Sequence, residues 1–174
     1  VGSVYVIDVN FTSSLVGVEA NDTEDHQITL TQDLACGVLD VVGATYNMTK
    51  DLTSSGTCFY VGANNITIDC HGFEINYSQS VIGYGVNISS YNFTTIRSCD
   101  IQQADDGSPT TAAYGVYIYR NSSDNIIFNN SVATYDGAGV QLLQQVYNNS
   151  VYNNNINLYF LFFDNKNFGY HRDL

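Results

Sequence analysis

The sequence predicts an all-β protein wound as a parallel β-helix of about five coils. Three observations carry this: a strand-favouring composition, a recurring pair of short apolar phrases, and turns rich in Asn and Gly. Among 174 residues there are 17 Val, 13 Ile, 14 Thr and 14 Tyr, against 3 Glu, 2 Lys and 1 Met. β-Branched and aromatic side chains suit a pleated surface, and strong helix formers are scarce. The 20 Asn and 14 Gly, with Pro109 the one proline, supply turn residues that tolerate left-handed backbone.

The first phrase is a small residue followed by apolar, any, apolar. It reads Cys58-Phe59-Tyr60-Val61, Gly85-Val86-Asn87-Ile88, Gly115-Val116-Tyr117-Ile118 and Gly139-Val140-Gln141-Leu142, at nearly even intervals along the chain. The second lies between these copies. It runs from Ile68 to Ile75, Ile96 to Ile101, Ile127 to Val132 and Val151 to Ile156, and its spacing tracks that of the first. One coil cannot bury its inward residues alone, so coils must stack, with like residues in files. The expected inward files are Phe59, Val86, Val116, Val140 and Val61, Ile88, Ile118, Leu142 on one wall. Opposite them stand Ile68, Ile96, Ile127, Val151 and Ile75, Ile101, Val132, Ile156. Tyr60, Asn87, Tyr117 and Gln141 should face out. Asn130, Asn154 and Cys99 share a coil position, where inward asparagines would form a ladder that satisfies turn backbone groups. Length variation falls in the loop from Gln102 to Thr111.

The stretch from Gly56 to Gly72, followed by Tyr84-Gly85-Val86 and Asn-Asn-Ser turns, resembles the right-handed parallel β-helix repeats of archaeal cell-surface proteins, relatives of the NosD and pectate-lyase-like β-helices. The resemblance covers about residues 36–160 and implies fold and surface location. It carries no reaction with it. The expected organisation is an N-terminal strand extension over 1–35, the β-helix over 36–160, and an aromatic and polar tail over 161–174. Four cysteines with no C-x-x-C spacing point to two disulfides, and four cysteines allow three pairings. The coil spacing selects Cys36–Cys58 and Cys70–Cys99, since each pair is separated by about one coil.

Both ends break the pattern. Val4, Val6 and Phe11 lie in an apolar strand, and Phe160, Phe162 and Phe163 in a run apolar on both faces. A β-helix exposes unpaired strand edges at its ends. Two readings follow: the apolar segments cap the coils within one subunit, or one end docks on the opposite end of a neighbour. The second is a heterologous contact that does not close and so builds a filament.

Seventeen acids against five bases give a net charge of -12, which argues against nucleic acid and anionic lipid surfaces as partners. No apolar run is long enough to span a membrane, and no charged and apolar leader opens the chain, so secretion implies a leader already removed. Ten Asn-x-Ser/Thr acceptor sites start at Asn10, Asn21, Asn47, Asn65, Asn76, Asn87, Asn92, Asn121, Asn129 and Asn148. Chance predicts about three, from 20 Asn and a Ser plus Thr fraction of 29/174. The excess points to a secreted glycoprotein carrying N-linked glycans. Some sites arise incidentally where an Asn turn meets a Ser or Thr strand, Asn129 among them if its neighbourhood faces inward.

Catalytic signals are sparse. Asp100, Asp105 and Asp106 form the one acid cluster, able in principle to act as acid and base or to hold Ca²⁺, and equally suited to a solvated loop. Arg97 beside it suggests a surface pair with Asp100. His26, His71 and His171 have no ligand spacing. Outward tyrosines (Tyr60, Tyr84, Tyr114, Tyr117, Tyr119, Tyr135) suit sugar stacking, coil-to-coil packing or a subunit contact. The expectation is a non-enzymatic extracellular structural glycoprotein without cofactor or metal. It would self-assemble head to tail as the subunit of an archaeal surface filament or sheath. The competing readings are a carbohydrate-binding or polysaccharide-cleaving β-helix and one module of a larger adhesin.

Overall fold

The computed structural model describes residues 18–22, 28–32, 34–104, 113–135 and 137–157. The chain divides into two compact units, Val1–Asp33 and Leu34–Leu174. In the first, β1 (Val18–Asp22) and β2 (Ile28–Gln32) form an antiparallel pair with Val18 opposite Gln32. Val4, Val6, Phe11, Phe160, Phe162, Phe163 and the tail 161–174 lie outside the described residues.

The second unit is a parallel β-solenoid. Its first rung holds β3 (Gly37–Leu39), β4 (Thr45–Asn47) and β5 (Leu52–Thr53). The second holds β6 (Phe59–Val61), β7 (Thr67–Asp69) and β8 (Glu74–Tyr77), and the third β9 (Tyr84–Ser89), β10 (Thr95–Arg97) and β11 (Asp100–Gln103). Then come β12 (Tyr114–Tyr119), β13 (Ile126–Phe128) and β14 (Ser131–Ala133), and last β15 (Val140–Leu143), β16 (Ser150–Tyr152) and β17 (Asn155–Asn157). Sheet 1 stacks β3, β6, β9, β12 and β15; sheet 2 stacks β4, β7, β10, β13 and β16; sheet 3 stacks β5, β8, β11, β14 and β17. No helix occurs among the described residues. Five strands per sheet are separated by four steps, so the stack makes about four turns rather than the five coils expected from the repeats.

The register reproduces the expected files. Phe59 pairs with Val86, Val86 with Val116, and Val116 with Val140. Ile68, Ile96, Ile127 and Val151 align in sheet 2, and Ile75, Ile101, Val132 and Ile156 in sheet 3. All these side chains are buried except Val151 and Ile156 in the last rung, which are half-buried. Leu39, Tyr46 and Leu52 extend the files into the first rung. Each fully buried aliphatic contributes about 1.5–3 kcal/mol of transfer free energy before ordering costs.

Two details differ from the sequence reading. The second phrase is two strands rather than one, bent at a corner where His71, Ser98, Asn129 and Asn153 adopt φ of 50°, 53°, 56° and 51°. A left-handed residue swings the chain onto a new wall, so the wall expected opposite sheet 1 is two sheets. Gln141 aligns with Tyr117 on the outer face yet is 6% exposed. Its amide folds back along its own strand, Nε2 donating to the Leu142 carbonyl at 3.4 Å.

The small residue that opens the first phrase has a steric cause. A methyl group on Gly115 would lie 2.3 Å from Val132 Cγ1 and 2.5 Å from the Gly139 carbonyl oxygen. In the third to fifth rungs the backbone of one rung closes on its neighbours here and only hydrogen fits, whereas in the second rung Cys58 holds the position and bonds to Cys36.

Cys36–Cys58 and Cys70–Cys99 are disulfides with Cα separations of 4.5 and 4.7 Å, the pairs selected by the coil spacing. Each closes a loop of about one turn, stabilising by about 3.5 kcal/mol through loop-closure entropy in the unfolded chain.

Candidate functional site

The outer surface of the solenoid divides into asparagine-rich corners and aromatic walls. At the corner between sheets 1 and 2, Asn65, Phe93, Asp124 and Asn148 take φ of 61°, 61°, 57° and 52°. Asn tolerates this region because its short amide bonds locally, which explains its abundance in the turns.

Asparagines at the corners fall into two sets. The inward set forms ladders. At the corner between sheets 2 and 3, the Cys99 amide donates to Asn130 Oδ1 at 3.0 Å. The amide and Nδ2 of Asn130 donate to Asn154 Oδ1 at 2.9 and 3.0 Å. The Nδ2 groups of Asn130 and Asn154 also reach the Ile96 and Ile127 carbonyls at 3.1 and 2.9 Å. The Cys70–Cys99 disulfide therefore continues this expected ladder at its lower end. A second ladder, not foreseen, fills the corner between sheets 1 and 2. The Thr94 amide donates to Asn125 Oδ1 at 2.8 Å, and the amide and Nδ2 of Asn125 donate to Asn149 Oδ1 at 3.0 and 2.8 Å. The sequence holds a signal for it: Asn125 and Asn149 have the same spacing as Asn130 and Asn154.

The outward set contains the glycosylation acceptors. Asn47, Asn65, Asn121, Asn129 and Asn148 are exposed and Asn76, Asn87 and Asn92 half-buried. Asn21 lies in β1, and Asn10 falls outside the described residues. No acceptor asparagine belongs to either ladder among the described residues. Asn129 points outward, contrary to the inward placement considered for it, because Asn130 takes the ladder position beside it. Asn129 Nδ2 donates to Ser98 Oγ at 3.3 Å.

Sheet 1 carries a tyrosine wall. Tyr84 stacks on Tyr114 and Tyr117 with centroids 5.6 and 4.7 Å apart, and Tyr117 stacks on Tyr119 at 5.4 Å. The Arg120 guanidinium lies 4.9 Å from the Tyr119 ring centroid. The rings use their faces on one another, so coil-to-coil packing accounts for these four, each contact adding about 0.5–1.5 kcal/mol beyond burial. Burial pushes the Tyr117 phenol up to about 12, reinforced by Tyr84, Tyr119 and Tyr114, and opposed by Arg120. Burial also raises Tyr84, with Tyr114 and Tyr60 adding to it. Tyr60, 44% exposed, sits on the same wall, and Tyr135 lines an open hollow of about 290 Å³ with Gln102, Gln103, Ala133 and Thr134. Tyr77 is different: it is fully buried in the core and its hydroxyl has no partner among the described residues.

Arg97 pairs with Asp69, not with Asp100. Its Nε lies 2.8 Å from Asp69 Oδ2, because the two residues align on neighbouring strands β10 and β7, whereas Asp100 lies past the corner. Asp69 Oδ1 accepts from the His71 amide at 3.2 Å, and His71 Nε2 is 3.1 Å from Asn47 Oδ1. Asp69 and His71 thus brace the left-handed turn at His71. Asp100 accepts a hydrogen bond from Gln102 Nε2; Asp105, Asp106, His26 and His171 lie outside the described residues. No group of three or more His, Cys, Asp or Glu side chains able to hold a metal ion occurs among the described residues.

Two disulfides place the chain in a compartment outside the reducing cytoplasm. No helix among the described residues is long and apolar enough to cross a membrane. Compared with family models, curated proteins and solved structures, the chain matches none.

Proposed function

We propose that this chain is a non-enzymatic extracellular structural glycoprotein, the self-assembling subunit of an archaeal surface filament or sheath, joined head to tail through the ends of its solenoid. The observation that carries the reading is the continuity of the inward files to both outermost described rungs. Leu39, Tyr46 and Leu52 occupy one end, and Leu142, Val151 and Ile156 the other. A second copy set on either end continues every file with apolar side chains, and parallel strand edges supply the hydrogen bonds.

The acceptor asparagines support the same assignment. Oligosaccharides on the walls and corners keep those surfaces solvated and favour association through the ends. The net charge of -12 disfavours close lateral packing between bare walls. The archaeal source rests on the likeness of the repeat phrases alone.

Negative-stain electron microscopy of the purified protein at high concentration tests the proposal. The expected result is unbranched filaments that lengthen with concentration. Monodisperse single particles under the same conditions overturn it.

A further inference from the structure

Four acceptor asparagines occupy one corner of the solenoid, one in each rung from the second to the last. Asn65 lies between β6 and β7, Asn92 between β9 and β10, Asn121 between β12 and β13, and Asn148 between β15 and β16. Each is followed by the next after about one turn of chain. Asn65, Asn121 and Asn148 are exposed, with left-handed φ of 61°, 51° and 52°. Asn65 and Asn148 hold the equivalent left-handed position of this corner, whereas Asn121 lies three residues before its counterpart Asp124 and Asn92 one before Phe93, so the four acceptors are staggered across one turn. Asn92 is half-buried, and its Oδ1 accepts from the amide and the hydroxyl of Ser123 in the next rung at 2.7 and 3.2 Å. This fixes the amide oxygen and leaves the nitrogen, the atom to which sugar attaches, out of those bonds.

We propose that this corner carries a row of N-linked oligosaccharides at Asn65, Asn92, Asn121 and Asn148, one per rung, forming a sugar ridge parallel to the solenoid axis. The inference rests on the glycoprotein reading above and says where on the body the sugar is concentrated. Adjacent rungs are about 4.8 Å apart, closer than the width of a sugar ring with its hydration, so the stagger of the acceptors along the turn helps neighbouring glycans splay outward as a comb. The modifying reaction uses an isoprenoid-phosphate-linked oligosaccharide as donor. The asparagine Nδ2 forms a bond to the anomeric carbon of the first sugar and releases a proton. The bond from that carbon to the phosphate oxygen breaks, and the lipid phosphate departs with the electron pair.

The same corner sets an order of events. The acceptor at Asn92 is completed by Thr94, which is fully buried with its hydroxyl unpartnered among the described residues. An enzyme that must engage both the amide and the hydroxyl reaches them only before the third rung closes. The hydroxyls that complete the other three acceptors, on Thr67, Ser123 and Ser150, are half-buried or exposed.

Mass spectrometry of glycopeptides from the natural protein, without prior chemical removal of sugar, tests the row. The expected result is a glycan mass on each peptide containing Asn65, Asn92, Asn121 and Asn148. Bare asparagine at two or more of these positions, with glycans on Asn76 or Asn87 of the flat walls, overturns the row and leaves the glycoprotein reading standing. Bare asparagine at all ten acceptors overturns both.

Discussion

Asn129 and Asn130 are adjacent in sequence and opposite in structural role, so substituting each by alanine separates the ladder from the surface. Asn130→Ala removes the acceptor of the Cys99 amide and the donor to the Ile96 carbonyl. Both backbone groups lie at a closed corner, and each buried group left unpaired costs about 1–3 kcal/mol. For the two together the expected loss is about 3–4 kcal/mol. Asn129→Ala removes one exposed hydrogen bond to Ser98 and puts alanine at φ 56°, for a loss of about 1 kcal/mol. Urea unfolding under non-reducing conditions, followed by far-ultraviolet circular dichroism, reads the difference. With a denaturant slope of about 2 kcal/mol/M, Asn130→Ala should lower the midpoint by more than about 1 M and Asn129→Ala by about half that or less. Equal shifts, or a larger one for Asn129→Ala, would refute the assignment of the ladder to the inward asparagines.

Gly115→Ala should destabilise by about 3 kcal/mol through overpacking against Val132 and the Gly139 backbone, whereas Gly37→Ala, with no atom within 4 Å of the added carbon, should leave the thermal midpoint nearly unchanged; the pair is compared by melting both variants. The tyrosine wall should make the protein sensitive to alkali: the Tyr117 phenol is raised from 10.0 to about 12, so the unfolded chain releases its proton first, and the stability from this group is complete below pH 10 and lost as pH rises toward 12. Titration of the phenolate absorbance should show a late-ionising class of tyrosines, and a single class near pH 10 in folded protein counts against the stacked wall.

The core was legible in the sequence because stacking multiplies a weak signal. One phrase such as Gly115-Val116-Tyr117-Ile118 says little, but four copies at nearly constant spacing identify Val86, Val116 and Val140 as one file, and the register agrees. The bend within the second phrase was legible only in its later copies, where Asn129, Asn130, Asn153 and Asn154 mark a turn, since Ser98 and His71 at the same corner of the earlier copies carry no such marker. The Arg97–Asp69 pair was missed for a related reason. Proximity along the chain favours Asp100, but a parallel stack places partners one turn away, and Asp69 precedes Arg97 by one turn. The outer surface was readable as chemistry more than as geometry: the acceptor motifs could be counted, while their gathering at one corner depends on where each turn falls.

The two disulfides are unevenly placed along the axis. Cys36–Cys58 ties the first rung to the second, and Cys70–Cys99 ties the second to the third, leaving β12 to β17 to hydrogen bonds and packing. In a solenoid each rung relies on its immediate neighbours, so thermal opening has a direction: the later rungs detach first, and the covalently bound rungs persist as a seed on which they wind back in register.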